Sequence, residues 1–184
     1  MVGSNDSALL LVDIQNDFCS GGSLAVPGSQ EIFPVVNAAI TDAQDKHWPI
    51  IASRDWHPVD HCSFNHRGGP WPVHCVQDTH GAAFHHELDL PATAIRVSKG
   101  TAFETDAYSA FDGTQLEQFL ARRGIKHLQV MGLALDVCVR ATVQDALRLG
   151  FGVELLAAGT RAVESGQTDD VLDQLAEAGA SVSR

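Results

Sequence analysis

The stretch Ala8-Leu9-Leu10-Leu11-Val12-Asp13-Ile14 restricts the fold more than any other part of the chain. Its apolar residues follow one another without a polar face, so a strand made from them must be covered on both sides. Such a strand belongs inside a parallel sheet, and parallel neighbours need crossover connections, usually helices. The rest of the chain supplies both. Glu31–Lys46 sets Ile32, Val35, Val36, Ala39, Ile40 and Ala43 at helical spacing, with Pro34 tolerated in the first turn. Pro49–Arg54 reads as a second strand, Ala94–Ser98 as a third, His127–Met131 as a fourth, Gly152–Ala157 as a fifth and Ala180–Val182 as a short sixth. Thr114–Arg123, Val137–Leu149 and Thr168–Ala178 read as helices, the first two stopped by Gly124 and Gly150. The alternation predicts an α/β fold, a single-domain three-layer α/β/α sandwich with a mainly parallel sheet of about six strands.

The chain has 184 residues and shows no repeat, low-complexity tract or linker, so it reads as one domain over 1–184. Periodicity disappears from Pro58 to about Pro91, and a loop of that length, roughly 57–93, inside a compact domain is usually functional. A formal net charge of −11 offers no basic face, which argues against nucleic acid or an anionic membrane as partner. Met1–Ser7 is short and polar, and with no signal peptide or membrane span visible the expected location is cytoplasmic. The cysteines at 19, 62, 75 and 138 form no Cys-x-x-Cys pair and read as thiols of a reducing compartment. A homo-oligomer is left open.

In open parallel sheets, ligands bind beyond the carboxyl ends of the strands. Asp13 ends the first strand, Asp55 and His57 the second and Lys99 the third. Cys138 follows the fourth, in Gly132-Leu-Ala-Leu-Asp-Val-Cys-Val139. Each alone has a bland reading: a loop-capping aspartate, a solvated lysine, a core thiol. Their joint placement at successive strand ends points to a site. A cysteine in the first turn of a helix meets unpaired N–H groups and a partial positive charge, which are expected to lower its pKa. Asp13 can take its proton, and Lys99 close by would keep the carboxylate, and later the thiolate, ionised. The backbone amides of Ala134 and Cys138 are the natural oxyanion hole. A Cys–Asp–Lys group of this kind is an acyl-transfer apparatus.

Seven of the nine histidines fall between His57 and His86. Asp55-x-His57, with His61 four residues on and His74 returning beside Trp71, suits one divalent metal ion, Zn²⁺, Fe²⁺ or Mn²⁺, with positions left for water. His66, His80, His85 and His86 read as surface residues. A zinc knuckle through Cys62 and Cys75 lacks the usual paired-cysteine spacing.

Five motifs, taken in order, resemble the nicotinamidase/pyrazinamidase group of the isochorismatase-like cysteine hydrolases. They are Asp13-Ile-Gln-Asn-Asp-Phe18, Asp55-Trp-His-Pro-x-x-His61-x-Ser-Phe64, Trp71-Pro-x-His74-Cys75-Val76, Lys99-Gly100 and Gly132-Leu-Ala-x-Asp-x-Cys-Val139. The set spans nearly the whole chain and is specific as a set. The resemblance implies a Cys138, Asp13 and Lys99 triad. It also implies a metal held by Asp55, His57 and His74, with His61 as a less secure further contact because the later histidine varies in position within the family. It implies a cis bond from Leu133 to Ala134 and a nicotinamide ring lying between Phe18 and Trp71, its nitrogen facing the metal. Tyr108, Leu24 and Leu133 would help to line the pocket. Leu135 stands where the family often has threonine, which removes no catalytic group. True isochorismatases resemble the chain in fold but lack the Asp-x-His metal site.

The reading that follows is a metal-dependent cysteine amidohydrolase that converts nicotinamide to nicotinate and ammonia, and pyrazinamide likewise, in NAD salvage, with no organic cofactor. Two other readings stay open. One is a hydrolase of the same fold acting on another amide, a carbamoyl compound or an enol ether. The other is a non-enzymatic metal or redox sensor built on Cys138.

Overall fold

The computed structural model describes residues 5–184, so the first residues of the polar Met1–Ser7 stretch lie outside it. Six strands form one sheet: β1 (Ser7–Val12), β2 (Ile50–Asp55), β3 (Ile95–Lys99), β4 (His127–Leu133), β5 (Gly152–Arg161) and β6 (Ser181–Ser183). Their spatial order is β3-β2-β1-β4-β5-β6, and every pairing is parallel. The sheet therefore grows from β1 outward in both directions. The order reverses between β1 and β4, and the crevice at that reversal is where such sheets hold ligands.

The apolar run of β1 divides by the two-residue strand period. Ala8, Leu10 and Val12 enter one core layer, while Leu9 and Leu11 enter the other. The first layer is closed by α2 (Leu116–Arg122), α3 (Arg140–Arg148) and α4 (Thr168–Glu177) through side chains such as Leu120, Val143 and Leu175. The second has only α1 (Phe33–Asp45), with Val36, Ile40 and Ala43 against the sheet. The long loop completes that layer, contributing buried Cys75, Ala82 and Leu88.

Three elements differ from expectation. β5 runs to Arg161 instead of stopping at Ala157, because a register shift between Val130 and Gly132 lets the chain resume pairing through Thr160 and Arg161. The helix expected from Val137 divides into a wide π-helical turn, Leu135–Val139, followed by α3. α1 begins at Phe33 because Ser29–Ile32 form a tighter 3₁₀ turn. Gly132 is required where β4 passes β1. Its φ is +134°, and a Cβ there would collide with the Val12 backbone.

Among the described residues, no helix is long and apolar enough to cross a membrane.

Candidate active site

β1 ends where Asp13 adopts a positive φ of 51°, turning its carboxylate under the crevice. Ser53 Oγ on β2 donates to Asp13 Oδ1 at 2.7 Å. Lys99, the last residue of β3, reaches across the strand ends. Its Nζ lies 2.8 Å from Asp13 Oδ2, 2.5 Å from Asp55 Oδ1 and 3.5 Å from Cys138 Sγ. One buried ammonium thus touches Asp13, the Cys138 thiol and the aspartate of the histidine group.

These contacts order the charges. Burial opposes the Lys99 charge, but Asp13 and Asp55 together raise its pKa well above the ordinary value, so it remains an ammonium. Burial raises the Asp13 carboxyl, and Lys99 pulls it only part of the way back. Asp55 is also pushed up by burial, yet Lys99, His57 and His74 hold it well below the usual carboxylate range. For Cys138 burial dominates, and the thiol is pushed well above its ordinary value in spite of Lys99. The expected lowering by a helix N-terminus is therefore overturned: the cysteine sits inside a π-helical turn, only 5% exposed, and rests as a neutral thiol. Asp13 and Cys138 place ligating atoms within 4.8 Å of each other.

The second centre is assembled around the other Asp55 oxygen. His57 Nε2 lies 3.4 Å and His74 Nε2 3.5 Å from Asp55 Oδ2. His57 Nδ1 donates to Gly100 O at 2.8 Å and His74 Nδ1 to Pro72 O at 2.7 Å. Carbonyls only accept, so each neutral ring carries its proton on Nδ1 and turns an Nε2 lone pair toward the carboxylate. Three facing lone-pair atoms at these separations call for a cation between them, and two imidazoles with a carboxylate fit a divalent transition ion. Burial opposes a charge on His57, but the adjacent Asp55 carboxylate raises the pKa of that imidazole.

His61 is not brought into this group. Its ring stacks on His57 at 4.1 Å, with Nδ1 bonded to Ser63 Oγ at 2.7 Å and Nε2 to Thr105 O at 3.1 Å. Leu133, expected at the pocket, is fully buried in the α1-side core, and its peptide bond to Ala134 is cis. Leu135 packs into the opposite core layer. His66 pairs with Asp60 at the surface as expected, whereas His85 is half-buried.

A pocket opens onto both centres. Phe18, Leu24, Trp71 and Tyr108 line it together with Ala134, Cys138, Asp55, His57 and His74. Trp71 Nε1 donates to Tyr108 Oη at 3.2 Å, joining two loops across the mouth. Val26, Asp106, Ala107, Val137 and Val163 also line it and were not anticipated.

Residues behind the pocket wall hold these groups in place. The Gln15 side chain donates to Asp55 O at 2.8 Å and accepts from Asp55 N–H at 2.9 Å, supplying the hydrogen bonds that a neighbouring strand would give. It also donates to Ala82 O at 2.9 Å, tying Asp55 to the long loop. Asp17 accepts from Cys75 N–H at 2.8 Å and Ser23 N–H at 3.3 Å, fastening the His74 segment to the Leu24 loop. Asp136 accepts from Val163 N–H at 2.9 Å and Glu164 N–H at 3.0 Å, setting another wall. Gln15, Asp17 and Asp136 stand within the motifs around Asp13 and Cys138, but nothing in their identity alone marks them as braces.

The fold and site define an α/β protein of the doubly wound type, with a buried cysteine–aspartate–lysine group beside a metal-ligand set at its switch point. The isochorismatase domain matches residues 7–184, and the chain belongs to that family. It is 42% identical over 177 residues to the nicotinamidase of Escherichia coli (strain K12), covering 85% of this chain and 83% of that one. It is 39% identical over 180 residues to the nicotinamidase/pyrazinamidase of Mycobacterium tuberculosis, covering 91% and 93%. The crystal structure of the pyrazinamidase of Pyrococcus horikoshii in complex with zinc superposes with a TM-score of 0.94 at 42% identity, covering 97% of this chain and 99% of that one. The yeast nicotinamidase bound to the inhibitor nicotinaldehyde gives a TM-score of 0.87 at 29% identity, covering 96% and 98%.

Proposed function

We propose that the protein is a cysteine amidohydrolase that converts nicotinamide to nicotinate and ammonia and accepts pyrazinamide as a near analogue. The observation that carries this reading is the Lys99 ammonium, which touches Asp13, Asp55 and Cys138 at once. The relatives named nicotinamidase and pyrazinamidase support the choice of substrate.

In the resting site Cys138 is a neutral thiol and Asp13 a carboxylate held by Lys99 and Ser53. With the amide bound, Asp13 takes the thiol proton as sulfur attacks the carbonyl carbon. The raised pKa of Asp13 suits this exchange, because a carboxylate shifted upward is a stronger base and still returns the proton. The backbone amides of Ala134 and Cys138, both lining the pocket, receive the developing oxyanion. Asp13 passes the proton to the amide nitrogen, the carbon–nitrogen bond breaks and ammonia leaves a thioester. Asp13 then takes a proton from water, hydroxide adds to the thioester carbon, and collapse releases the acid and a thiolate that recovers its proton from Asp13.

Asp55, His57 and His74 would hold the metal, which when bound supplies a Lewis-acidic anchor for a ring nitrogen and orders water. Phe18 and Trp71 clasp the ring between them, and Tyr108 holds Trp71 in position. The four cysteines are free thiols, which suits a reducing compartment such as the cytoplasm.

The test is ammonia release from nicotinamide by purified protein, before and after metal chelation. Release that is lost on chelation and regained with added metal supports both centres. A folded, metal-loaded sample that releases none would exclude nicotinamide as the substrate.

A further inference from the structure

Outside the active site, His85, His86 and Glu87 bring two imidazoles and a carboxylate together on the long loop, with ligating atoms all within 4.8 Å of one another. His85 is not a free surface ring. Its side chain is 14% exposed, stacks on Phe33 with ring centres 4.7 Å apart, and meets the His86 ring at 4.4 Å. His85 Nδ1 lies 3.9 Å from Glu87 Oε2. Two ligand atoms on a tetrahedral zinc ion, with bonds of roughly 2.0–2.1 Å, stand about 3.3 Å apart. A small side-chain rotation spans the difference.

The backbone under the cluster is fixed at both ends. His85 N–H donates to Ile14 O at 3.0 Å. Asn37 on α1 donates to Glu87 O at 2.8 Å and accepts from Asp89 N–H at 3.0 Å. The site is therefore pre-organised, and little chain entropy is lost on closing around an ion. Glu87 N–H donates to the His85 Nδ1 lone pair at 3.2 Å, a contact that an ion bound at Nδ1 would displace.

We propose that His85, His86 and Glu87 form a second metal site, at the surface, that takes a borderline divalent ion of the zinc, nickel or copper class, with water completing its shell. Two nitrogens and one oxygen favour these ions over magnesium or calcium, which seek all-oxygen shells. The site differs from the Asp55 group in access. There the ligands are 1–4% exposed, whereas His86 and Glu87 face solvent, so exchange here should be fast.

Zinc alone is the probe. Protein stripped with a chelator and dialysed against buffered zinc should take up a second equivalent beyond the one held by the Asp55 group, counted by elemental analysis. His86→Ala should lose that second equivalent and Glu87→Gln should weaken it, both with ammonia release unchanged. Asp55→Ala should lose activity and the buried equivalent but keep the surface one. Circular dichroism on each variant confirms that folding is intact. Wild-type protein that takes up no second equivalent, or a second equivalent that survives in His86→Ala, would overturn the site. The zinc count does not depend on turnover, so it is read separately from the amidase assignment.

Discussion

Lys99 Nζ lies 2.5 Å from Asp55 Oδ1, while the other oxygen of Asp55 faces His57 and His74. A single carboxylate therefore joins the Cys138–Asp13–Lys99 group to the two imidazoles. Lys99→Met should separate their roles. Turnover should fall by about 10³-fold, because Asp13 and the thiolate lose their counter-charge. Zinc content should hold, since Asp55 loses only a competing cation. The carboxylates left unpaired should cost about 3–5 kcal/mol, read as a lower thermal midpoint. Zinc lost together with the lysine would show that Lys99 orients Asp55 for the metal.

Cys138→Ala should reduce ammonia release by at least about 10⁴-fold, to the level that binding and the oxyanion hole alone sustain. Stability should change by only about 1 kcal/mol, because the side chain lost is small. Steady-state assays paired with urea melts test this; appreciable turnover in the variant would remove Cys138 as nucleophile.

Gln15→Ala removes the bonds to both backbone groups of Asp55 without touching the pocket. Zinc affinity should drop by roughly 10–100-fold, as is usual when a group supporting a ligand is removed. Activity at saturating zinc should largely return. A loss of kcat that excess zinc fails to restore would place Gln15 in the chemistry instead.

Benzamide keeps the amide and the ring but lacks the ring nitrogen. Its kcat/KM should be lower than that of nicotinamide by at least about 10²-fold, because the polar anchor goes unused. Equal rates would show that Phe18 and Trp71 bind any aromatic amide and that the Asp55 group does not read the ring.

Cys19 predicts an alkaline limit to stability. Burial, reinforced by the charge of Glu87 and opposed by the nearby Ser29 hydroxyl, pushes its thiol from 9.0 to about 11. Between those values the unfolded chain has released its proton and the folded chain has not, so stability falls as pH rises. The contribution is fully present below pH 9 and has declined by about 2–3 kcal/mol near pH 11. Urea midpoints at mildly and strongly alkaline pH should converge less steeply in wild type than in Cys19→Ala only if this sign is wrong; the variant should show the shallower decline.

The strand ends were readable because a parallel sheet demands continuous apolar runs, and a polar residue closing such a run stands out. Asp13, Asp55 and Lys99 stand out in this way, and the fold brings them into contact. Cys138 was placed correctly, but its ionisation was not, since depth of burial depends on how α3 and the π-helical turn pack. His57 and His74 converge on Asp55, while His61 stacks beside them; four-residue spacing in a loop does not say where a ring turns. Val163 and Asp106 reach the pocket from distant loops through hydrogen bonds and packing that leave no pattern in the sequence. Leu133 follows the alternation of its strand into the α1-side core with Met131, while the resemblance pointed to the pocket.

One face of the sheet has α1 alone, and the long loop covers what a second helix would otherwise cover. Cys75 and Ala82 seal the core from segments that also present His74 and receive the Gln15 bond. Surface loops ordinarily drift because nothing beneath them depends on their path. Here the loop is a supporting wall, and any insertion that re-aimed the metal ligands would also let water reach the sheet. Selection on catalysis and selection on folding therefore act on the same residues, and the site can diversify only at its rim.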